Sequence, residues 1–267
     1  MSYLPLPSSI ASPINLGENL VEFQENQSVN LPRLTARRAF SLFILFISLQ
    51  LLVGLVVGFA TGMVAQISHQ AAMLFATISG FLLASLTVLY LAVRWFPREI
   101  NKNSMTGAAW RVGSRPFLLL GGGGGVFIAF SYLFLAPLLS TPPDETAIGP
   151  FTKMANTPGL QQIIAFFIAL ILAPPVEELL FRGVMFGGFC RSFGPIWAAV
   201  LTTSLFVAAH FVEAIHFWPA FVFIALMALA ALWLRLYTRS IGPSIALHFS
   251  YNLILTGATL LGTLLAS

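Results

Sequence analysis

Charge is what this sequence has least of. Its 13 Lys and Arg and 9 Asp and Glu make up 8% of 267 residues, where a soluble domain carries about a quarter. So few ionic groups cannot cover a folded surface of this size with water-facing side chains, which excludes a soluble globular protein. The single cysteine, Cys190, excludes an internal disulfide framework and any cysteine-based zinc site. No basic stripe exists either. The net charge is +4, but the Lys and Arg residues come as ones and twos between apolar runs, so nucleic acid is excluded as a partner. Also missing are His-Glu-x-x-His, Gly-x-Ser-x-Gly and a Lys-Ser/Thr pair behind the glycine run. These absences remove the usual helical zinc-protease site, the hydrolase nucleophile elbow and the phosphate loop.

What the chain has in quantity is hydrophobic length: 58% of its residues are apolar and the mean hydropathy is +0.89. Crossing about 30 Å of hydrocarbon takes about 20 residues of helix. Runs of that order lie at 39–66, 71–93, 117–139, 160–181, 195–216, 218–236 and 243–265. Backbone groups cannot stay unpaired in lipid, so these runs predict helices, and the short alternation of a membrane barrel is absent. The fold class is therefore all-α, a polytopic helical membrane protein with about seven (six to eight) spans. Residues 1–36 hold Pro5, Pro7, Pro13 and Pro32 with Glu18, Glu22 and Glu25, and predict a polar, water-exposed, mobile tail. The basic residues come after this tail, so it does not resemble a signal peptide. Residues 37–156 form a first group of spans, and 157–260 a second that carries the chemistry.

Basic residues mark alternate connections. Arg33, Arg37 and Arg38 precede the first span; Arg94, Arg98, Lys102, Arg111 and Arg115 fill the second connection; Arg182 and Arg191 follow the fourth span, and Arg235 and Arg239 the sixth. Only Lys153 departs from the ladder. By the positive-inside rule the N-terminus is cytosolic, and such a polytopic chain fits a bacterial inner membrane best. The 140–158 connection, with its prolines, Asp144 and Glu145, reads as extramembrane. Gly54, Gly58 and Gly62, and the run 121–125, suit close helix contact.

Ionisable groups inside apolar runs are expensive in lipid and therefore informative. In Pro174-Pro175-Val176-Glu177-Glu178-Leu179-Leu180-Phe181-Arg182, Arg182 lies one helical turn after Glu178. Those two can pair, which leaves Glu177 pointing about 100° away. Phe206 and His210 share one face of the next helix, and His248 and Asn252 share one face of the last. Read singly, each stretch has a structural alternative: a solvated cap, an interior histidine, an interhelical polar clamp. His210, Glu213 and His216, spaced three and three, turn too far around a helix to form one metal site, and a rhomboid-like Ser-His pair has no evident nucleophile.

Taken together and in this order, Glu177, Glu178 and Arg182, then Phe206 and His210, then His248 and Asn252, resemble the CAAX protease and bacteriocin-processing (CPBP or ABI) family of intramembrane endopeptidases. The resemblance covers about 160–256. It implies hydrolysis of a peptide bond in a membrane-associated or prenylated-type substrate, with Glu177 as general base and His210 assisting or holding the water. His248 and Asn252 would be oxyanion donors, and Glu178 with Arg182 an orienting pair. Either no cofactor is required or Glu177, His210 and His248 hold a zinc ion; the reading leans to metal-free. A non-catalytic immunity or scaffold protein and a proton-coupled transporter are the alternatives, although no repeated halves favour the transporter. One geometric conflict stands: a fourth span ending at 181 puts Glu177 far from His210. Continuing that helix through Phe186 or Phe189 brings the two level.

Overall fold

A computed structural model describes residues 33–64, 68–141 and 149–266. Most of the expected tail, and Asp144 and Glu145, lie outside the described residues. The described chain is helical: α1 Ala36–Gly62, α2 His69–Trp95, α3 Arg115–Leu139, α4 Pro150–Asn156, α5 Leu160–Phe193, α6 Pro195–Ala209, α7 Phe211–Ala214, α8 Trp218–Thr238 and α9 Gly242–Ala266. Among the described residues there is no strand. Six of these helices are long and apolar enough to cross a membrane, which makes this a polytopic membrane protein.

Two spans depart from expectation. The fourth is not 22 residues but 34, running unbroken through Arg182 and Phe186 to Phe193. It stops where Gly194 takes φ +83, and Pro195 opens α6. Glycine adopts that left-handed backbone without strain, and proline suits the first helical position because no N–H is needed there. The fifth span is correspondingly short. α6 has 15 residues and ends at Ala209, and only the one-turn helix α7 follows. The connection at 140–158 also contains structure: α4 buries Met154 against Leu74, Ala165 and Ile168.

Lengthening α5 removes the depth conflict. Glu177 lies 16 residues before Phe193, about 24 Å, and His210 lies 15 residues after Pro195, about 22 Å. α5 is also the spine of the core, through Val176, Leu179, Leu180, Phe181, Val184, Met185 and Phe186, all buried.

The glycines do unequal work. A Cβ on Gly121 would run into the Pro243 carbonyl, and one on Gly125 into the Leu247 carbonyl and the Tyr251 amide, so α3 and α9 touch backbone to backbone. Gly54 and Gly58 face Ala76 of α2, but Gly62 meets nothing within 4 Å.

The connection 96–114 is not a loose loop. Ala108 N–H donates to the Glu99 carbonyl, Trp110 N–H to Ile100, and Ile241 N–H to Ala109. Glu99, Ile100, Ala108 and Ala109 are buried, packed beneath α5 where Gly183 and Gly187 leave room for the backbone at Ala108 and Gly107. The start of the chain's described part is anchored too: Leu34 is buried and Ala36 N–H donates to Ser192 Oγ.

Candidate active site

The sequence Ala173-Pro174-Pro175 dictates an irregular helix. Neither proline has an N–H, and each is tolerated best in a first helical turn. α5 meets this requirement with a π-helical stretch at Ile168–Leu172, after which α-helical turns restart at Ala173–Glu178 with the prolines in the first turn. The Ala173 N–H reaches back five residues to the Ile168 carbonyl and so bypasses Ala169. The next rung in the π pattern would come from residue 174, a proline. Ala169 thus has no backbone donor from either pattern, and Asn252 Nδ2 of α9 donates to its carbonyl at 2.8 Å. A second π-helical stretch, Leu179–Met185, follows directly after Glu178. The two carboxylates therefore sit on one short α-helical segment between two widened turns, an irregularity frequent at functional sites.

Glu178 is fully buried and Arg182 nearly so. Arg182 Nη1 lies 3.2 Å from Glu178 Oε1, and its Nη2 donates to the Ala228 carbonyl at 3.1 Å. Its guanidinium carbon stands 4.1 Å above the ring of Phe206, a cation–π contact. The same ring touches His210 at 4.7 Å and His248 at 5.9 Å between centroids. Phe206, quoted in the sequence only as part of a motif, is the apolar hub of the polar cluster.

Glu177 points the other way. Its Oε2 is 3.9 Å from His210 Nε2 and 3.9 Å from His248 Nε2, and it is buried with no hydrogen-bond partner. Both rings are held from behind. His210 Nδ1 lies 2.9 Å from the Phe206 carbonyl, and His248 Nδ1 lies 3.1 Å from Glu178 Oε1. A carbonyl and a carboxylate can only accept, so the N–H is assigned to Nδ1 in each ring. In the neutral imidazoles both Nε2 lone pairs then face the Glu177 carboxylate. Three acceptors around one gap require a hydrogen-bearing group between them, and a water about 2.8 Å from each fits a 3.9 Å separation.

Zinc fits less well. Ligands about 2.0 Å from a tetrahedral ion stand about 3.3 Å apart, whereas a 3.9 Å gap would open the ligand–zinc–ligand angle to about 130–155°. Among the described residues no group of three or more His, Cys, Asp or Glu is disposed to hold a metal ion. His216 is exposed.

Asn252, one turn beyond His248, faces Ala169 with one amide N–H and keeps one more. The residue that sequence reasoning passed over is Arg235. It is completely buried in α8 and donates from Nε to the Arg182 carbonyl (3.2 Å) and from Nη2 to Ser104 (2.9 Å) and Gly107 (2.8 Å). It ties the 96–114 connection to the second widened turn. Its setting in Leu-Trp-Leu-Arg-Leu was the available signal, read there only as a rung of the basic ladder.

The helical bundle thus brings two glutamates, two histidines and an arginine together within its apolar spans. Residues 159–254 match the family described as Rce1-like, type II CAAX prenyl endopeptidase. That segment holds every residue of the cluster, and over it the chain is similar to this CPBP family of membrane endopeptidases. Comparison with curated proteins and with solved structures gives no match.

Proposed function

We propose that the chain hydrolyses a peptide bond of a membrane-associated or prenylated-type protein substrate, using water activated by Glu177. The observation that carries this reading is the position of Glu177 Oε2, without a hydrogen bond and 3.9 Å from two histidine nitrogens whose far sides are anchored. A water in that gap donates one hydrogen to Glu177 and the other to His210. Glu177 takes the proton as the water oxygen attacks the scissile carbonyl, and returns it to the leaving amine. His248, its Nδ1–H anchored on Glu178, keeps its Nε2 lone pair beside the same water as an alternative acceptor for that second hydrogen. No cofactor takes part. The bilayer, with the N-terminus on the cytosolic side of a bacterial inner membrane, supplies the setting.

The test is Glu177→Gln, which keeps shape and hydrogen bonding but removes basicity. Turnover of a susceptible membrane peptide is expected to fall by about 10² to 10⁴ with the fold retained, the range of general-base catalysis. Turnover equal to the parent's would move the chain to a non-catalytic or transporter role. Exhaustive chelation should leave the parent's turnover unchanged; loss restored by added zinc would replace the metal-free route.

A further inference from the structure

We infer that Asn252 is a positioning residue. It supplies the backbone hydrogen bond that Pro174 deletes, and so fixes where the Glu177 segment of α5 lies. This rests on Glu177 being the base, and it departs from an oxyanion role for Asn252. Three observations support it. Ala173 N–H bonds to Ile168, five residues back, leaving the Ala169 carbonyl without its ordinary donor. Residue 174, the next donor in the widened pattern, is proline and has no N–H. Among the described residues, the Asn252 side chain donates to that carbonyl, at 2.8 Å.

An unsatisfied carbonyl in a membrane interior is costly, so without Asn252 the widened turn would re-form around another partner. Glu177 follows eight residues after Ala169 on the same helix, and any change in winding there rotates its carboxylate relative to His210 and His248. Those histidines ride on other helices and do not move with it. The same amide also joins α9 to α5 one turn from His248, so a single bond sets both the base and the ring that faces it.

A four-protein cycle tests this: the parent, Pro174→Ala, Asn252→Leu and the double variant. Restoring an N–H at 174 gives the Ala169 carbonyl a backbone donor, so the need for Asn252 disappears. Asn252→Leu alone is expected to lower kcat roughly 10- to 100-fold, the scale of a small misplacement of a reacting group, with KM little changed and a lower melting temperature. In the Pro174→Ala background the same substitution should change kcat less than about threefold and leave the melting temperature near that of Pro174→Ala. Equal loss of kcat in both backgrounds would overturn the inference and make Asn252 a direct donor to substrate. No loss in either background would overturn it too. Should Asn252→Leu fail to fold, folding of the double variant supports the clamp and its failure to fold overturns it. The melting-temperature half of the cycle needs no turnover. An inactive parent, or an unaffected Glu177→Gln, would therefore sink the hydrolysis reading without deciding this one.

Discussion

Arg182 has its guanidinium between a carboxylate, a carbonyl and the face of Phe206, and no water-facing outlet. Removing one member of such a buried pair leaves the other uncompensated, at about 3–5 kcal/mol. Arg182→Met is therefore expected to lower folded yield and melting temperature in detergent far more than Glu177→Gln does. Glu178→Gln should fall between them, since the amide still accepts from Arg182 and His248. Thermal denaturation of the three purified variants checks the order. Normal yield and melting with lost turnover for Arg182→Met would instead make that side chain a substrate contact. The division of labour between adjacent glutamates follows from helix geometry alone. Glu178 faces Arg182 and is fully buried, whereas Glu177 has a 14% exposed side chain and faces both histidines.

At the scale of elements, the position of His248 depends on how closely α9 lies on α3. Gly125 leaves no space for a Cβ against the Leu247 carbonyl, so Gly125→Leu must push the helices apart, an overpacking of about 1–3 kcal/mol or more. It is expected to reduce thermal stability and turnover together. Gly123→Leu, at a glycine that meets nothing within 4 Å, should change neither. Paired melting and activity measurements on these two variants decide the point. This contact was legible in the sequence as a glycine run. So were the pairs 178/182, 206/210 and 248/252, because a spacing of four is one helical turn whatever the surroundings. The length of α5 was legible only through the clash it removed. Hydropathy falls at Arg182, and nothing local says that Glu178 and Phe206 keep that cation inside. The burial of residues 99–100 and 107–109 within the 96–114 connection was not legible at all. Its charges mark it as solvent-facing, while its contacts come from Gly183, Gly187 and Arg235, far away in sequence. The two widened turns escaped for a related reason: prolines announce a break, but which carbonyl is bypassed depends on a partner helix.

For the whole molecule the basic ladder sets an orientation that labelling can check. With Cys190 replaced by Ser, a single cysteine at exposed Asn103 should stay unreactive toward a membrane-impermeant thiol reagent on intact cells, and one at exposed Thr141 should react. Reaction at Asn103 alone would invert the molecule. The same bundle has very unequal legs. α5 extends about 50 Å at 34 residues and α6 about 22 Å at 15 residues, beside a hydrocarbon layer of about 30 Å. No flat bilayer matches both lengths at once; tilt of α5 takes up part of the difference, and a bilayer thinned toward the end of α6, where Phe211, Val212, Ile215 and Trp218 are exposed, is the expected outcome for the rest. His210, 29% exposed, caps that end of α6. Thinning there would bring the headgroup layer, and its water, toward the depth of the site.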